Sequence, residues 1–190
     1  THHSPQSPFV GRAAAWQKLQ QRWRSVQRDG LHVVCIQGEA GIGKTRIAEE
    51  LLHWARQQSI RTLHAHAFST ENNMSYAPLV DALRAPAAQP ALAQIAPVWR
   101  TELARLLPEL LAADPALPAP EPLTEGWQRQ HLYDALLRAV TPDAQPLILL
   151  LDDLQWCDAE TLDWLLYLVN HRMDARLLLL AAERSEEMTP

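Results

Sequence analysis

The sequence lacks a strongly basic block. Its 17 Lys and Arg stand against 22 Asp and Glu, a formal net charge of −5. That balance argues against a non-specific nucleic-acid binder, although it says nothing of other domains in a larger protein. Cysteine is scarce: Cys35 and Cys157 form neither a metal spacing nor a disulfide pattern, which fits a reducing cytoplasm. Cys35 falls in an apolar strand, where a small buried thiol is expected. No apolar run approaches the ~20 residues needed to span a membrane. The opening THHSPQSP lacks the apolar core of a secretory signal. Residues 1–8 are therefore expected to be a tag remnant or a disordered leader, ahead of a folded unit at 9–190. No internal repeat is present, and 190 residues suffice for one sizeable core.

What is there alternates between two periodicities. Residues 13–28 carry Trp16, Leu19, Trp23 and Val26 at helical steps, with Gly30 as a stop. The run 32–37 is a short apolar strand, and a helix follows from Lys44 to about Gln58 with Ile47, Leu51, Leu52 and Trp54 inward. Residues 60–67 read as a second strand and 76–84 as a short helix. The stretch 85–125 is rich in Ala, Pro and Leu. One helix is expected inside it, through Trp99, Leu103, Leu106, Leu107 and Leu110, before the proline-dense DPALPAPEP. This stretch is read as an insertion on an α/β core. A helix at 126–140, an apolar strand LILLLDD at 147–153, a helix capped by Asp158 and a last strand at 176–182 complete the chain. Continuous apolar strands separated by helices predict a parallel sheet covered on both faces, a three-layer α/β fold.

Two motifs carry chemistry. GEAGIGKT at 38–45 matches G-x-x-x-x-G-K-[ST], after a strand and before a helix. Glycines let the backbone N–H groups converge on a polyphosphate, and the helix N-terminus adds its positive end. Lys44 is then expected to reach the β- and γ-phosphates and Thr45 to offer its hydroxyl to Mg²⁺. LILLLDD is the expected partner, with Asp152 holding the magnesium through water and Asp153 polarising the attacking water. Asp is one methylene shorter than the Glu often found in hydrolysing relatives. Arg184 follows the last strand. It would lie near the γ-phosphate if that strand sits between the two motif strands. His64 and His66 share one face of the second strand, but no further ligand appears at a suggestive spacing, so the pair is not read as a metal site. Trp16, Trp23, Trp54, Trp99 and Trp164 fall on apolar helix faces and are expected in the core or an interface, whereas Trp156 follows the acids, with packing favoured over a lid role.

With these residues assembled, the chain resembles the AAA-like ATPase module of bacterial STAND-type signalling regulators, such as large LuxR-type transcription factors. FVGR at 9–12, GEAGIGKTRIAEEL, SYAPLVDALR, LLLDDLQWCDAETLDWLLYL and LLLLAAERSEE occur in the expected order, and ELARLLPELL is similar to the usual insertion. The resemblance implies ATP and ADP as ligands, slow hydrolysis and ATP-favoured self-association. It implies Val10, Gly11 and Arg12 around the adenine, a nucleotide-binding run of Gly38, Glu39, Ala40, Gly41, Ile42, Gly43, Lys44, Thr45 and Arg46, and Arg184 as a sensor arginine. It also implies sheet order 2-3-4-1 with a fifth strand beside the first. The chain stops at Pro190. The expectation is thus a partial domain, with the fifth strand, helical subdomain, winged-helix part and any DNA-binding output domain lying elsewhere. Its first strand would be left as an apolar edge that invites dimerisation, strand exchange or cover by the N-terminal segment. Two alternatives stand beside the switch: a remodelling ATPase acting on nucleic acid or protein, and a nucleotide-binding scaffold without turnover.

Overall fold

The computed structural model describes residues 13–68, 74–124, 126–142, 145–171 and 175–184, with Arg184 described by its backbone alone. Four strands form one sheet: β1 (His32–Gly38), β2 (Arg61–His66), β3 (Leu147–Asp152) and β4 (Leu177–Arg184). Every pairing is parallel and the order is β1-β4-β3-β2, as the resemblance implies. The two central strands are buried on both faces, which is why β3 and β4 read as unbroken leucine runs.

Side-chain alternation along the strands sorts the core into two layers. On one face, Ile148, Leu150, Leu178 and Leu180 pack against α1 (Ala13–Asp29) and α2 (Lys44–Gln57), through Leu19, Trp23, Val26, Ile47, Leu51 and Leu52. On the other, Leu63, Leu147, Leu149, Leu151, Leu177 and Leu179 pack against α3 (Ala77–Arg84), α7 (Gly126–Val140), α8 (Ala159–His171) and the insertion.

The insertion differs from expectation. It forms three short helices, α4 (Gln89–Gln94), α5 (Pro97–Leu103) and α6 (Glu109–Ala113), rather than one helix through Leu110. Pro108 explains the break, because it has no N–H to donate and disfavours helical backbone at the preceding residue. The broken segment is nonetheless part of the core: Leu92, Ile95, Leu103 and Leu107 are buried in the second layer. Trp99 is partly buried against it, with the Arg138 guanidinium 4.4 Å over its ring. Residues 114–124 form no regular structure.

β1 also departs from expectation. Its inner face, Val34 and Ile36, is half-buried against α1 and α2, whereas Val33 is 54% exposed and Cys35 is exposed. Cys35 is therefore not the buried thiol its strand suggests, because among the described residues β1 pairs with β4 alone and no helix covers its other face. The cap on α8 holds: Asp158 Oδ1 accepts from Thr161 N–H at 2.9 Å, and Asp158 Oδ2 accepts from the Thr161 hydroxyl at 2.7 Å. The same Oδ1 accepts from Tyr76 N–H at 2.9 Å, holding the start of α3, where Tyr76 adopts φ 63. No described helix is long and apolar enough to cross a membrane.

Candidate nucleotide-binding site

The site lies where the parallel strands end. β1 finishes at Gly38 and α2 begins at Lys44, so the chain turns from sheet to helix within residues 39–43. Gly41 (φ 76) and Gly43 (φ 86) take left-handed backbone that costs other residues about 1–2 kcal/mol. No side chain caps the N-terminus of α2. The first-turn N–H groups of a helix need partners, and an anion at that end supplies them.

Lys44 folds back over the loop, its Nζ donating to Gly38 O at 2.7 Å and Glu39 O at 2.9 Å. The ammonium is thus already held inside the turn that follows β1. Next to it the Thr45 hydroxyl donates to Asp152 Oδ1 at 3.2 Å, which ties the glycine-rich turn to the end of β3. Asp152 is 2% exposed, and its Oδ1 also accepts from Asp153 N–H at 3.1 Å. A buried carboxylate beside a threonine hydroxyl and an anion-seeking helix end is a donor set that fits a magnesium–nucleotide complex.

Asp153 has φ 56 and ψ 50, a left-handed conformation that aspartate tolerates better than most residues. Its Oδ1 accepts from Gln155 Nε2 at 2.9 Å. A short 3-10 turn (Leu154–Trp156) follows, leaving Trp156 39% exposed and outside the core. β4 does sit between β1 and β3, which meets the condition set for Arg184, and its backbone lies in register with Gly38. Its side chain lies outside the described residues, as do Val10, Gly11 and Arg12. Glu39, Ala40, Gly41, Ile42 and Arg46 are exposed, and Arg46 lines a polar hollow of about 320 Å³ beside α2 together with Glu49, His53, Arg56 and His64.

Two features escaped sequence reasoning. Glu183, buried at the end of β4, accepts from Gln37 Nε2 across the β1–β4 pair. His66 stands opposite Asp152 in the β2–β3 register, with its Nδ1 3.6 Å from Asp152 Oδ2 and its Nε2 3.8 Å from Asp153 Oδ2. A carboxylate, Asp152, thus stands beside the His64–His66 pair, brought there by strand pairing and invisible to spacing. Burial lowers the pKa of His64, a shift that the Asp152 charge opposes.

A parallel α/β sheet with a glycine-rich turn on one strand and a threonine-linked acid on another defines a P-loop nucleotide-binding ATPase of AAA-like build. Residues 8–180 match the family model described as AAA ATPase domain, and the chain belongs to that family. A comparison with curated proteins returns no match. Among solved structures, the crystal structure of Cdc6p from Pyrobaculum aerophilum aligns with 17% identity and a TM-score of 0.51. The alignment covers 97% of this chain and 42% of that one, so the chain spans under half of that structure. At that identity the likeness is one of fold.

Proposed function

We propose that this domain is a slowly hydrolysing ATP switch from a bacterial signalling or transcriptional regulator. The observation that carries the reading is the Thr45–Asp152 hydrogen bond, which joins the glycine-rich turn to the acid of β3. Lys44 binds the β- and γ-phosphates, Thr45 and Asp152 hold Mg²⁺, and Arg184 serves as the sensor cation at the end of β4. When bound, Mg²⁺ neutralises charge developing between the β- and γ-phosphates. Val10, Gly11 and Arg12 take the adenine side, and the run from Gly38 to Arg46 wraps the phosphates.

Asp153 is the residue assigned to orient the attacking water. Its carboxylate is short, and Oδ1 already accepts from Gln155. Both features favour slow turnover over rapid cycling. Self-association through the open edge of β1 is part of the same reading, supported by the exposed Val33 and the strand's single described neighbour. DNA contacts are assigned to domains outside this chain.

Phosphate release from ATP, measured with and without duplex DNA, tests the reading against a remodelling ATPase. The expected rate lies far below the ~10 s⁻¹ typical of enzymes and does not respond to DNA. Rapid, DNA-stimulated release would overturn it. ATP binding without any release would leave a nucleotide-binding scaffold.

A further inference from the structure

We propose that His64, His66 and Asp152 form a binding site for a transition-metal dication of the zinc class, separate from the magnesium position and sharing only the Asp152 carboxylate with it. The reading goes beyond the nucleotide switch and does not depend on it. His64 and His66 sit two residues apart on β2, so both imidazoles project from one face of the sheet. The β2–β3 register sets Asp152 beside His66. One ligand atom from each of the three residues lies within 4.8 Å of the others. Tetrahedral coordination at bond lengths near 2.0 Å places such atoms about 3.3 Å apart, and His66 Nδ1 and Asp152 Oδ2 already stand at 3.6 Å.

Three details separate this cluster from an ordinary polar patch. First, the two oxygens of Asp152 face different ways. Oδ1 accepts from the Thr45 hydroxyl and Asp153 N–H, while Oδ2 faces His66 Nδ1 at 3.6 Å. Second, His64 Nε2 is buried with no hydrogen-bond partner, a costly state for a polar atom unless something occupies it. Third, the far nitrogen of His66 lies 3.8 Å from Asp153 Oδ2. A carboxylate behind a ligating histidine orients the ring and raises its basicity, the usual support for a metal-bound imidazole. Two nitrogens and one oxygen suit zinc, cobalt or nickel better than magnesium, and three protein ligands leave a position for water. His64 also borders the polar hollow lined by Glu49 and Arg46.

The test is zinc titration of the intact chain without nucleotide, in competition with a chromophoric chelator, and cobalt substitution read by its visible absorption. The expected result is one equivalent bound, with a tetrahedral cobalt spectrum. His64→Ala and His66→Ala should each weaken zinc binding by at least tenfold, and Asp153→Asn by about tenfold. Lys44→Ala should leave zinc binding unchanged, so failure of the metal site and failure of the nucleotide reading are distinguishable. Equal zinc affinity in wild type and both histidine variants, or no binding at all, would overturn the proposal. If a variant misfolds, anomalous diffraction from wild-type crystals grown with zinc decides. A peak among His64, His66 and Asp152 supports the site; a peak at His2 and His3 alone, or none, sinks it.

Discussion

The two faces of the sheet carry different burdens. On the α1–α2 face the apolar layer gives way toward the strand ends, where Lys44, Thr45, His64, His66 and Asp152 collect. On the opposite face leucines from three strands continue into α3, α7, α8 and the insertion, and Leu103, Leu107, Leu136 and Trp164 are almost fully buried. The chemistry therefore sits on the thinner layer, while the larger share of apolar burial lies behind it. A polar cluster around a buried acid costs folding free energy. A large core on the far side lets the sheet carry that cost.

The sharpest way to break this comparison is to hollow out the far face. Trp164→Ala should destabilise the domain by about 3–5 kcal/mol, read by denaturant unfolding. The indole is fully buried, and its N–H donates to Tyr133 O at 3.3 Å. Leu103→Ala asks whether the insertion belongs to the core. A loss of about 2–5 kcal/mol is expected, against well under 1 for a peripheral ornament.

A smaller effect is expected at the junction of α3 and α8. Asp158→Ala removes the cap of α8 and the partner of Tyr76 N–H, and should cost about 1–2 kcal/mol. Asp158→Asn should recover much of that loss. An alanine variant as stable as the wild type would show that the cap is dispensable.

The mildest test concerns the open edge of β1. Cys35 is exposed, yet its thiol pKa is pushed up to about 11 by partial desolvation first, then by its hydrogen bond to the Glu183 carboxylate and that group's charge. A raised pKa keeps the thiol protonated at neutral pH. Near pH 8 its alkylation should run roughly tenfold slower than that of free cysteine, allowing for the greater nucleophilicity of a more basic thiolate. The rate should keep rising through pH 10, and Glu183→Gln should move the profile to lower pH. A profile levelling off near pH 8.5 would contradict this account.

Much of the fold is legible in the residues. The leucine runs of β3 and β4 announce central parallel strands, and GEAGIGKT announces its turn, because each is a local pattern with a local cause. The break of the insertion helix is legible only at Pro108, which competes with an otherwise good helical spacing through Leu106, Leu107 and Leu110. The exposure of Cys35 is hidden, since an apolar strand does not say whether both of its faces are covered. The meeting of His66 with Asp152 is hidden for a different reason: it arises from strand pairing between residues far apart in the chain.

The central claim is that the turn after β1 binds nucleotide phosphates through Lys44. Calorimetric titration of ATP and ADP with Mg²⁺, on wild type and on Lys44→Ala, tests it most directly. Loss of a charge-assisted phosphate contact should weaken ATP binding by roughly 1.5–3 kcal/mol, about tenfold or more. Equal ATP affinity in the two proteins would contradict the account.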